Sequence, residues 1–154
     1  MSSKKEFLTE LVKNNDLTVE EDIFRIPLKG KQVAIITRTG IEKIQFHNNI
    51  KVVYETISID PSFVVVKAIG TLGDLHSETY GESSPVNLNK GSGKYPVAMA
   101  EKRALSRVVL KLSGAYKYGV YGQDESDEFK PSIVKVVKSE DLSKINGEEN
   151  ESKK

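Results

Sequence analysis

Apolar residues come in two rhythms along this chain. Phe7, Leu8, Leu11 and Val12 fall on one side of a short amphipathic helix over residues 4–13, closed by Asn14-Asn15-Asp16. A short strand is expected over Gln32–Ile36. A second helix is expected from Thr39, because Thr39-Gly40-Ile41-Glu42 matches a capping box. Ile41 and Ile44 then point inward, Lys43 points outward, and Asn48-Asn49 ends the element. The rhythm next becomes that of strands. Ile50–Ile59 is rich in β-branched residues and runs into an Asp60-Pro61-Ser62 turn. Phe63–Leu72 is the most apolar strand and ends at Gly73-Asp74; His76–Ser83 is polar and reads as an edge or solvent-facing strand. These spacings predict an antiparallel meander of three to four strands.

A loop over residues 84–94 leads to a long helix, Tyr95–Ser113. Pro96 suits a first helical turn, where its missing amide proton costs nothing, and Gly114 suits the stop. Val97, Ala100, Ala104, Val108 and Leu112 form its apolar face, and the two alanines allow close approach to a sheet. Arg103, Arg107 and Lys111 recur every fourth residue beside that face, with Lys102 on another side. No acid on the helix stands where it would pair with them. The row reads as a basic ridge able to follow phosphates; an ordinary solvated helix edge is the open alternative. The fold class expected is α+β: a β-meander packed on a long basic helix (β-β-β-α), with a short N-terminal helix.

Charge divides the 154 residues into three parts. Residues 1–22 carry three Lys against six acids, and residues 122–154 six Lys against nine. Residues 23–121 carry 14 Lys and Arg against seven acids. The expected organisation is an acidic N-terminal helix or arm (1–22), an α+β core that binds nucleic acid (23–122) and an acidic, largely disordered tail (123–154). Within that tail, Ile133–Val137 is either a further strand or an isolated docking segment, and residues 139–154 have the composition of disorder. A basic core attracts phosphate backbones.

The chain has no Cys and two His, so neither a disulfide nor a Cys/His zinc site is expected, and no cofactor is expected. The first residues lack a signal-peptide core, and no segment approaches the ~20 apolar residues of a membrane helix. The expected location is the cytoplasm (the host's, if the source is viral), with no membrane partner.

Several candidate sites weaken on chemical grounds. Lys90-Gly91-Ser92-Gly93-Lys94 has the look of a phosphate loop, but Tyr95 stands where magnesium would need Ser or Thr. Lys90 and Lys94 remain candidate backbone contacts ahead of a helix. Asp60, Asp74, Glu78 and Glu82 have no metal-site spacing, and His47 and His76 have no nucleophile beside them, so no catalytic residue is assigned and no enzyme is expected. Tyr80 and Tyr118, the latter in the run Tyr116-Lys117-Tyr118-Gly119-Val120-Tyr121, are candidates for stacking on unpaired bases; packing is the equal alternative.

The strand FVVVKAIGTL, the turn GDLHSETYGES and the helix AEKRALSRVVLKLSG together resemble the single-strand annealing proteins of phages and their eukaryotic relative Rad fifty-two. VAIITRTGIEKIQFHNNI looks like the lead-in helix of phage members, so the resemblance covers about residues 32–122. It implies a homo-oligomer, a ring or filament, that binds single-stranded DNA between sheet and helix and anneals complementary strands in recombination, repair or replication. It places Arg103, Arg107 and Lys111 on the groove helix and Lys67 on the strand nearby. The acidic tail resembles those through which single-strand binding proteins recruit replication or recombination partners. The other readings are a plain single-strand-binding protein without annealing activity, and a protein-interaction or structural subunit using its basic face.

Overall fold

In the computed structural model, residues 3–60, 62–86, 88 and 95–128 are described. Lys90, Lys94, the segment 133–137 and the tail 139–154 lie outside them. The chain is α+β, as expected. Helix α1 (Lys4–Asn14) opens with a capping box in which the Ser3 hydroxyl accepts from the Glu6 amide and Glu6 accepts from the Ser3 amide. Its Leu8 and Leu11 join the same core as the rest of the chain.

Strands β1 (Ile23–Leu28) and β2 (Lys31–Ile36) form an antiparallel hairpin. Lys29 and Gly30 both have positive φ, 52° and 79°, the condition for a tight turn whose twist matches the strands. Sequence reasoning finds β2 and misses β1, whose Pro27 breaks the strand pattern; Pro27 sits at the unpaired edge of its sheet, where a missing amide is tolerated.

Helix α2 spans Arg38–His47. Its cap is Thr37, whose hydroxyl accepts from the Gly40 amide, and not Thr39, which lies inside the first turn. Glu42 does not reach back to a capping amide but pairs with Arg38 one turn earlier, at 2.8 Å. Ile41 and Ile44 are fully buried, as expected. Lys43 reaches the buried Asp22 at 2.7 Å.

Strands β3 (Lys51–Asp60), β4 (Phe63–Leu72) and β5 (Leu75–Ser83) form the expected meander, three strands in the order β3-β4-β5. On β4, Val64, Val66, Ala68 and Gly70 are buried under the next helix, and the alternate residues line an open face. Helix α3 (Pro96–Ser113) crosses this sheet and ends on Gly114, whose φ is 85°.

β5 is an edge strand with an exposed polar face, as expected, and its other face is small and polar because of how closely α3 lies on it. A Cβ on Gly81 would stand 2.0 Å from the Ala100 carbonyl oxygen and 2.4 Å from the Ala104 nitrogen. Thr79 donates to the Ala104 carbonyl at 2.8 Å and Ser83 to the Pro96 carbonyl at 2.7 Å. Small residues and hydroxyls thus replace apolar side chains where helix and strand meet, and Ala100 and Ala104 supply the close approach on the helix side.

After α3, a 3-10 turn (Tyr116–Tyr118) leads to β6 (Val120–Gly122), which runs parallel to β2 and completes a second sheet, β1-β2-β6. Ser106 on α3 donates to the Asp124 carboxylate at 2.9 Å, tying the helix to the turn beyond β6. A 3-10 turn over Glu125–Glu128 follows. Ala100, Ala104, Leu105, Val108, Val109 and Leu110 are all buried, so α3 is the element around which both sheets assemble.

Candidate nucleic-acid interface

The basic row of α3 does not face solvent as a ridge. Arg103 is buried, 6% exposed, and its Nη1 donates to the Glu82 carbonyl at 2.7 Å. Arg107 lies one turn on. Its Nη1 donates to the Tyr80 carbonyl and meets the Glu82 carboxylate at 2.9 Å. Gly81 and Ser83 face α3, so the Glu82 side chain stands on the opposite face of the sheet. The Arg107 guanidinium therefore wraps over the outer edge of β5. Two arginines four residues apart match two carbonyls two residues apart on a strand, because one helical turn and one strand repeat have similar lengths.

Electrostatics fit this clamp. Burial lowers the Arg107 pKa, and the Glu82 carboxylate more than offsets it, leaving the guanidinium above its ordinary range. The acid lacking on the helix comes from β5. Lys111, on the next turn, is exposed and has no ion pair among the described residues; Lys102 is half-buried.

On the open face of the sheet, Lys67 stands at the centre. Its Nζ is 2.8 Å from Glu78 and 3.8 Å from Glu55, and the bond to Glu78 raises its pKa. The same bond lowers Glu78. Tyr80 is directly across the ladder from Lys67, half-exposed, with the ammonium 6.0 Å from the ring centroid. The structure thus brings Arg103, Arg107, Tyr80 and Lys67 together around β5, with acids interleaved. Tyr118 is elsewhere: its ring stacks on Phe7 at 4.4 Å and 17°, so it fastens α1 to the turn after α3.

A cluster of unpaired cations lies on the β1–β2 hairpin. Arg25, Lys29 and Lys31 are all exposed, and none has an ion pair among the described residues. No acid occurs between Asp22 and Glu42. Lys5 of α1, Arg25 and Glu20 border a hollow of about 480 Å³ lined also by Leu8, Val12, Ile23 and Phe24. The signal is present in the sequence as an acid-free basic stretch, but without β1 there is no hairpin on which to place it.

Among the described residues no group of three His, Asp or Glu side chains is disposed to hold a metal ion, and no helix is long and apolar enough to cross a membrane. Comparison with known protein-family models, with curated proteins and with solved structures finds no match.

Proposed function

We propose that this chain binds single-stranded DNA and that an oligomer of it promotes annealing of complementary strands, with no bond made or broken. The observation that carries this reading is the β1–β2 hairpin: three exposed cations with no acid among them and no partner among the described residues. Free cations release counterions when they neutralise phosphates, whereas Arg103 and Arg107 are already committed to β5. Phosphates held at the hairpin leave bases unpaired and free to meet a second strand. Exposed Tyr80 beside Lys67 offers a sequence-tolerant stacking surface on the other sheet. The sequence resemblance of residues 32–122 to single-strand annealing proteins favours annealing over simple strand protection.

Anisotropy of a labelled single-stranded oligonucleotide, titrated across salt, tests the reading. Arg25→Glu, Lys29→Glu and Lys31→Glu together should reduce the magnitude of the salt slope by roughly 0.7 for each phosphate no longer neutralised, about 2 for all three. No binding by the unaltered chain at low salt sinks the proposal. Binding without a faster pairing of complementary strands reduces it to strand protection.

A further inference from the structure

We infer that the free edge of β3 is a self-complementary interface through which two copies of this chain form a two-fold dimer. The two edges of the β3-β4-β5 sheet differ. On β5, Arg103 and Arg107 occupy the carbonyls of Glu82 and Tyr80, and α3 covers the face beside them. A strand approaching that edge meets guanidinium groups. Among the described residues, β3 has a strand neighbour on the β4 side only, over ten residues. Between its charged residues Lys51, Glu55 and Asp60 it carries exposed apolar side chains. Val53 is 60% exposed, Ile57 51% and Ile59 64%, with Phe63 just beyond the turn at 47%. A long edge with exposed apolar residues of this kind invites another strand.

Charge selects a second copy of the same strand as the occupant. Ile57 is the bulged residue, since Thr56 pairs with Val66 and Ser58 with Val65. The remaining nine residues form a ladder centred on Glu55, with Lys51 at one end and Asp60 at the other. Laid antiparallel on a copy of itself about Glu55, the strand sets Lys51 against Asp60 at both ends and Val52 against Ile59 twice. Side chains keep to their own faces throughout. The two Glu55 carboxylates meet at the centre, and each already has a Lys67 ammonium 3.8 Å away. Two opposite-charge pairs and two apolar pairs outweigh one like-charge pair that is partly neutralised. The symmetry puts both α3 helices on one side of a six-stranded sheet and both open faces on the other. Head-to-tail growth, β3 onto the β5 of the next copy, meets the arginine clamp.

This extends the oligomer of the proposed function, and its test contains no DNA, so loss of the dimer and loss of strand binding are separate results. Sedimentation of the full chain should give twice 17.1 kDa, falling to 17.1 kDa on dilution. Ile59→Lys alters only an exposed position, sets two lysines against Val52 across the interface, and should weaken the dimer by about tenfold or more. The chain has no Cys, so Glu55→Cys is a clean reporter: mild oxidation should link two copies, with Lys111→Cys as the exposed control. A single mass of 17.1 kDa at every concentration overturns the proposal, as does a dimer unaffected by Ile59→Lys. Glu55→Cys oxidising no faster than the control also overturns it.

Discussion

Arg103→Met separates a structural clamp from a phosphate ligand. The methionine keeps the length of the apolar stem but removes the guanidinium that donates to the Glu82 carbonyl at 2.7 Å in a site only 6% exposed. A hydrogen bond from a charged donor contributes about 1.5–3 kcal/mol, and the carbonyl left behind keeps part of its desolvation cost. Loss of about 2–3 kcal/mol lowers the midpoint of thermal unfolding by roughly 4–12 °C for a domain of this size. Arg103→Ala also strips the stem from its packing and should cost ~2 kcal/mol more, at about 0.8 kcal/mol per buried methylene. The assay pairs thermal or urea unfolding with the salt dependence of oligonucleotide binding on the same protein. A clamp predicts a large loss of stability and, in the fraction still folded, an unchanged salt slope. A phosphate ligand predicts unfolding within about 0.5 kcal/mol of the parent and a slope reduced by ~0.7. The second pattern would refute the placement of Arg103 against β5.

Gly81→Ala should cost more than about 3 kcal/mol in urea unfolding, because the added carbon meets helix backbone at 2.0 and 2.4 Å and no rotamer relieves it. Gly70→Ala meets only side chains, Val108 at 2.7 Å and Leu112 at 2.9 Å, and should cost less than Gly81→Ala in the same measurement. Ser3→Ala removes the α1 capping box and should lower stability by about 0.5–2 kcal/mol, with earlier loss of helical circular dichroism. Burial raises the Asp22 pKa, but the Lys43 ammonium and the Thr18 amide outweigh it, so the folded-state value lies below the ordinary carboxylate range. Asp22 therefore contributes stability above its unfolded pKa and loses that contribution as pH falls through the folded one; Asp22→Asn should flatten the acid limb of a stability-against-pH curve, and an unchanged limb would contradict this.

Local pattern carries much of the fold. Pro96 and Gly114 bracket α3 as expected, and Gly73, at φ 59°, turns β4 into β5 where the apolar run ends. Ala100 and Ala104 announce a close approach to a sheet and make one on Gly81. Each of these signals lies within one turn or one strand, where steric and hydrogen-bonding preferences act without help from the rest of the chain. β1 and β6 are not legible in this way. Pro27 disguises the first, and the second is three residues long, held by a parallel partner 86 positions earlier in the chain.

The candidate site depends most on tertiary packing. Spacing at every fourth residue does put Arg103 and Arg107 on one side of α3, but it cannot say what lies beside them. Their partners are the Tyr80 and Glu82 backbone and the Glu82 carboxylate, more than 20 residues away, and these turn a supposed phosphate ridge into a clamp over a sheet edge. Tyr118, beside Lys117 in the sequence, has the look of a base-stacking residue, but it meets Phe7 at the other end of the described chain. Arg25, Lys29 and Lys31 are visible in the sequence as charges and become a surface only when the hairpin forms. For α1, α3 and the β3-β4-β5 meander, the sequence by itself determined where elements start, stop and turn, because those choices are settled among near neighbours. Only the tertiary structure decided which cations are spent on the fold and which remain free, because a charge is neutralised by whatever packing brings within a few ångströms of it.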